Sequence, residues 1–152
     1  MRDGAHSSCC NVTNCDFNRG SLKVVESHLM DDDKLTEVLN VEISQCVIKS
    51  VKEAADWVKG TFLFQRMRSH PLMYGLGGNG RSEEALHAFV RATCTGVVDR
   101  LRNINAIGIG EGGTTFHPLP ASHIMSRNFI AFKTMSSIVK LPHDSGEFFC
   151  LI

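Results

Sequence analysis

Residues 75–82 of this 152-residue chain, GLGGNGRS, are the stretch best suited to chemistry, because closely spaced glycines let backbone N–H groups approach a phosphate. The run fits G-x-x-x-x-G-K-S with Arg81 in the lysine position, and it also contains G-x-G-x-x-G. Both motifs need a buried strand leading into the loop, so that the phosphates meet a helix N-terminus at a sheet edge. What precedes it is an expected helix end, Pro71 and Leu72-Met73-Tyr74. The segment therefore reads as a flexible glycine linker. A second G-x-G-x-x-G, Gly108 to Gly113, is followed by a strand pattern where a helix is required and is set aside.

His6, Cys9, Cys10 and Cys15 have metal-ligating chemistry, but adjacent cysteines share a tetrahedral site poorly and no second ligand pair follows, so no metal is expected. His117, between Phe116 and Pro118, has no nucleophile or carboxylate placed beside it and reads as a hairpin-edge residue. Asp31, Asp32 and Asp33 stand before the apolar pattern Leu35, Val38, Leu39, Ile43, where negative charge favours a helix start. The remaining chemistry is positive. Arg91, Thr95 and Arg102 project within one narrow sector of an expected helix, with Glu84 nearby and Arg100 a little outside. Such a face is either solvated or able to lie along a phosphate backbone.

The elements that position these residues follow from periodicity. Val51, Ala54, Ala55, Trp57 and Val58 share one side of a helix opposite Lys52, Glu53, Asp56 and Lys59, with Ser50 as N-cap and Glu53 as its capping-box partner. Gly60 interrupts, and a second piece runs from Thr61 to about Ser69, ending before Pro71. Leu86, Phe89, Val90, Cys94, Val97, Leu101 and Ile104 recur at three and four residues, predicting a long helix from a Ser82 cap to Asn103. Alternation around Gly112-Gly113 predicts a hairpin. A last helix is expected from about Ala121 to Lys140, its stripe Met125, Phe129, Phe132, Met135 or Ser136, and Val139.

Sixteen basic and sixteen acidic residues balance, which excludes a binder that works by net charge alone but leaves local basic stripes open. No transmembrane run and no secretory leader pattern occur, so no membrane partner is expected. The six cysteines lack disulfide-like spacing, which points to a reducing, intracellular compartment and leaves the sequon at Asn11 without weight. Residues 1–20 read as a poorly ordered tail, 21–117 as one domain and 118–152 as the incomplete start of a second. From the apolar ending Phe148-Phe149-Cys150-Leu151-Ile152 the chain is expected to stop inside a larger unit.

Helix, helix pair, long helix and hairpin is the order of a winged-helix domain: mainly α, three helices plus a β-hairpin wing, here followed by the first helix of a helical bundle. Val25-Glu26-Ser27-x-Leu29, Leu39-Asn40-x-Glu42-Ile43, Trp57-Val58-x-x-Thr61-Phe62-Leu63-Phe64-x-Arg66 and Pro71-x-x-Tyr74-Gly75 resemble the winged-helix region of superkiller-like superfamily 2 helicases. Ala121-Ser122-x-Ile124-Met125-Ser126 is similar to the start of the bundle that follows there, and the likeness is strongest to meiotic crossover DNA helicases. The resemblance implies a non-catalytic brace that ties an ATP-driven 3'-5' motor to the bundle and to nucleic acid, DNA rather than RNA, in the nucleus. ATP and magnesium would belong to motor domains in cis, since this chain holds no phosphate loop or acidic box and needs no cofactor of its own. Trp57, Phe62, Phe64 and Tyr74, with Leu86, Val90 and Leu101, would form the core, and Trp57→Ala would cost about 3–5 kcal/mol. Arg66, Arg68, Arg91, Thr95 and Arg102 would contact a motor domain or a phosphate backbone. Two other readings are a free-standing winged-helix regulator binding duplex DNA through Arg91, Thr95 and Arg102, and a small nucleotide-binding enzyme using Gly75 to Ser82.

Overall fold

The computed structural model describes residues 27–77, 82–110 and 112–141. The cluster at His6, Cys9, Cys10 and Cys15 lies outside them, as do Arg81 and the apolar ending. Helix α1 (Asp32–Ser44) starts where Asp31 Oδ1 accepts the Asp33 N–H at 2.9 Å. After it come α2 (Val51–Lys59) and α3 (Phe62–Ser69), separated at Gly60 and Thr61, then a 3-10 turn (Pro71–Tyr74) and the long α4 (Glu83–Asn103). Ser50 Oγ accepts the Glu53 N–H at 3.2 Å, while the Glu53 carboxylate accepts the N–H of Lys49 at 2.7 Å, one residue before the usual capping-box partner. Ser82 caps α4 through the Ala85 N–H.

Strands β1 (Ile107–Ile109) and β2 (Phe116–Pro118) pair antiparallel in the register Ile107 to Pro118 and Ile109 to Phe116. Gly112 and Gly113 turn the hairpin at φ 99° and 72°, left-handed values that glycine adopts without a Cβ clash. Its outer strand is also held from the other side. Phe116 donates its N–H to Lys49 O at 2.8 Å, and Ser50 bridges Thr115, so the residues just before α2 act as a third short strand. The His117 ring covers Gly108 across the hairpin, close enough that a Cβ there would lie 2.5 Å from Nε2.

One buried cluster joins α1, α2, α3, α4, the wing and both later helices. Leu39, Ile43, Ile48, Leu63, Met67, Val90 and Leu101 are its largest fully buried apolar side chains. Phe64, Tyr74 and Leu86 are buried too, with Tyr74 Oη accepting the Ser27 N–H. Two expected core residues are not placed as the helix pattern implied. Trp57 is half-buried and packs on the rim of the cluster, and Phe62 is 55% exposed. Trp57 sits about 100° round α2 from the side that buries Ala54, Ala55 and Val58, and after the short break at Gly60 helix α3 turns Leu63, Phe64 and Met67 inward while Phe62 points out.

The expected helix from Ala121 to Lys140 is two helices, α5 (Pro120–Arg127) and α6 (Phe132–Val139). The break is a Schellman stop: the Ile130 N–H reaches back to Met125 O at 3.0 Å, with Phe129 between them at φ 52°. Phe129, expected in the apolar stripe, is instead 95% exposed. The same closure ends α1 at Cys46 (φ 59°), the 3-10 turn at Gly75 (φ 73°) and α4 at Asn105 (φ 52°).

Two stability measurements test this packing. Leu101→Ala should cost about 2–5 kcal/mol in urea denaturation and exceed Trp57→Ala; the reverse order would return the indole to the centre of the core. Phe129→Gly should stabilise the chain by about 1 kcal/mol, because a left-handed phenylalanine carries strain and an exposed ring loses little burial. A loss of stability on that change would show that the ring packs in solution.

Candidate nucleic-acid interface

Helices α2 and α4 pack side by side, and the contact leaves a shallow groove of about 330 Å³ between their outer faces. Ala55 and Ala88 contribute to its lining, and their small side chains leave room between the helices. Lys52, Asp56, Lys59, His87 and Arg91 supply its polar lining. Lys59 Nζ donates to Asp56 Oδ1 at 2.8 Å, and that bond, with the charges of Lys59, Lys52 and Arg91, holds the Asp56 carboxyl below its ordinary range. Asp56 is the single carboxylate in a lining that carries three lysine or arginine cations, so the groove keeps a positive excess. His87 is placed by its neighbours: its ring stacks on Phe64 at 5.8 Å, and Nε2 lies 4.0 Å from Glu83 Oε1. A positive groove with side chains on two rigid helices can bind a phosphate backbone without reading sequence.

Of the residues singled out from sequence, only Arg91 enters this groove. Thr95 and Arg102 continue its row along the exposed side of α4, over about 16 Å of helix from Arg91 to Arg102. The Thr95 hydroxyl is engaged with its own helix, donating to Arg91 O at 3.0 Å. Arg66 and Arg68 belong to α3 and do not line the groove. Lys52, Lys59 and His87 were missed because each looks like an ordinary surface residue of its own helix. Only the pairing of α2 with α4 collects them, and the sequence does not print that pairing.

Comparison with known proteins joins this geometry to a family. A model of the winged helix-turn-helix domain matches residues 26–110, more than half of the chain. The chain belongs to the winged helix-turn-helix family. The domain is similar to part of the ATP-dependent DNA helicase homolog MER3 of Arabidopsis thaliana, 27% identical over 79% of this chain. It is 30% identical, over 66% of the chain, to the probable ATP-dependent DNA helicase HFM1 of Homo sapiens. It is also 30% identical, over 73% of the chain, to activating signal cointegrator 1 complex subunit 3 of Mus musculus. The matched regions make up 10%, 7% and 5% of those relatives' own lengths. The resemblance to the winged-helix region of superkiller-like superfamily 2 helicases therefore holds. Among the described residues no helix is long and apolar enough to cross a membrane.

Arg100 is not a neighbour of the Arg91 row, as expected from sequence, but faces the other way. Nine residues at 100° each carry it half a revolution round α4 from Arg91. There the winged-helix domain uses it structurally: its guanidinium pairs with Asp33 of α1 and lies 4.4 Å from the Phe132 ring centroid of α6. Lys133 Nζ joins Asp33 Oδ2 at 2.9 Å, and Glu37 Oε1 accepts the Phe132 N–H at 3.0 Å, favourable for a carboxylate at a helix N-terminus. Hydrogen bonds from Lys133 and Arg100 hold the Asp33 carboxyl below its ordinary range. A depressed carboxyl contributes stability above its unfolded pKa and loses it as pH falls through the folded one. Asp33→Asn should therefore lower the urea midpoint at pH 7, and its gap to wild type should close as pH drops below about 4. A gap of equal size at pH 7 and pH 3 would show that Asp33 acts by packing alone.

Proposed function

We propose that the chain is the non-catalytic winged-helix module of an ATP-dependent superfamily 2 DNA helicase, bracing the motor against the helical bundle and the nucleic acid. The observation that carries this reading is that α5 and α6 bury Met125, Phe132 and Met135 in the same cluster as the winged helix. A strut must transmit force without yielding, and a shared core stiffened by the Asp33 ion pairs supports that role. DNA, in preference to RNA, is supported by the names of two helicase relatives, and a meiotic role would place the protein in the nucleus.

ATP and magnesium would be held by motor domains in cis. The glycine run is a poor match for them: the described residues leading into it form a 3-10 turn, where the phosphate motif needs a strand. Among the described residues no group of His, Cys, Asp or Glu could hold a metal ion.

A second reading, a free-standing duplex-binding regulator, draws on the positive groove of Lys52, Lys59 and Arg91. One pair of measurements separates the two. Added in trans to the motor domains of the Arabidopsis relative lacking their own winged helix, the chain should raise DNA unwinding roughly tenfold, the scale of ordinary inter-site coupling. No stimulation, together with salt-dependent duplex binding by the chain alone that disappears in Arg91→Glu/Arg102→Glu, would reject the brace and favour the regulator.

A further inference from the structure

Helix α3 and the 3-10 turn after it carry an apolar and cationic face that nothing among the described residues covers. Phe62, Arg66, His70 and Met73 follow one another at spacings of four, four and three, so they form one continuous stripe along the two elements. Phe62 is 55% exposed, Met73 48%, and Leu72 beside it 76%. The Arg66 guanidinium lies 6.0 Å from the Phe62 ring centroid. Its Nε and Nη2 are buried, as is His70 Nδ1, and none has a hydrogen-bond partner among the described residues. A half-buried guanidinium has lost part of its hydration and, among the described residues, is compensated by an aromatic face alone, a state that a carboxylate would relieve.

Composition decides what kind of partner brings that carboxylate. From Phe62 to Ser82 the chain has no Asp, no Glu and no Lys; with Phe64, Met67 and Tyr74 taken into the core, the outer side of α3 and the 3-10 turn offers Phe62, Leu72, Met73, Arg66 and Arg68. Aromatic residues, methionine and arginine are the types enriched where proteins meet proteins, and lysine is depleted there. The groove between α2 and α4 has the opposite character, small side chains with lysines beside them, and suits phosphate.

We infer that the stripe Phe62, Arg66, His70 and Met73 is the surface by which this module docks onto protein, its occupant an apolar patch of the helicase motor carrying an aspartate or glutamate that pairs with Arg66. The inference rests on the brace reading and divides the module's work: α3 faces the motor, and the α2–α4 groove is left to nucleic acid.

The test is the affinity of the full chain, fluorescently labelled, for the motor domains of the Arabidopsis relative lacking their own winged helix. Phe62→Ala and Arg66→Glu should each weaken binding at least about tenfold, as loss of a central anchor does, while Arg91→Glu/Arg102→Glu leaves it unchanged. A thermal melt of Phe62→Ala guards against misfolding, since an exposed ring contributes little to the core. Rescue of Arg66→Glu by reversing one carboxylate on the motor would establish the pair. If wild type binds and the α3 variants bind equally well, the docking surface is wrong while the brace stands. If wild type does not bind, the brace fails and this inference with it. If the α3 variants instead lose duplex DNA binding, the stripe is a nucleic-acid surface and the protein assignment is overturned.

Discussion

Asn40 is the interaction on which the arrangement of helices depends. It sits in the middle of α1, almost wholly buried; its Oδ1 has no partner among the described residues, so the two bonds made by Nδ2 are what keep the amide from being wholly unpaired, which would cost about 1–3 kcal/mol. Its Nδ2 donates to Ser122 O at 3.2 Å and to Ser126 Oγ at 3.1 Å, so α5 has to present a backbone carbonyl and a hydroxyl one turn apart at that point. Apolar packing alone would let α5 slide along α1, because Leu35, Leu39 and Ile43 accept many shapes of neighbour. The amide admits one register. Once α5 is fixed, the Schellman turn at Phe129 aims α6 back at α1, and Glu37 meets its first turn.

Much of this was legible in the chain because each feature has a local cause. Ser50 and Ser82 cap helices by their own hydroxyls, three-and-four periodicity marks α4, and Gly112-Gly113 supplies the φ values the wing requires. The helix stops at Cys46 and Phe129 were not legible, since both residues occupy a position where glycine or asparagine is the usual signal. Reading through Phe129 merged α5 and α6 and put an exposed ring into an apolar stripe. Trp57 and Phe62 misled for a related reason. Large aromatics usually dominate a small core, and Phe64, Tyr74, Phe116 and Phe132 do enter it, but Trp57 lies off the buried side of α2 and Phe62 is turned out after Gly60 while Leu63 and Met67 fill the interior.

The candidate interface was legible only as far as one helix reaches. Arg91, Thr95 and Arg102 share a sector of α4 by arithmetic, but Lys52 and Lys59 join Arg91 only through the packing of α2 against α4. Arg100, which belongs to the same run of sequence, is turned away and used to hold α1 and α6. Counting arginines along a helix therefore overstates its basic face. Each one has to be assigned to solvent or to a partner before its charge is free to act.

A net charge of zero speaks against a binder that relies on long-range attraction, but it says little about local contact. Screening limits an exposed charge to neighbours within about 8–10 Å, so a face is governed by the acids beside it and not by the chain's total. In this chain the acids are unevenly spread. Asp31, Asp32, Asp33 and Glu37 gather at the start of α1, where they cap helices and hold Arg100 and Lys133, while residues 62–82 contain none. Asp33 and Glu37 are thus engaged in holding α1, α4 and α6 together. Asp56 is the one carboxylate among the residues lining the α2–α4 groove, and residues 62–82 have none, so both outer surfaces keep a local positive excess.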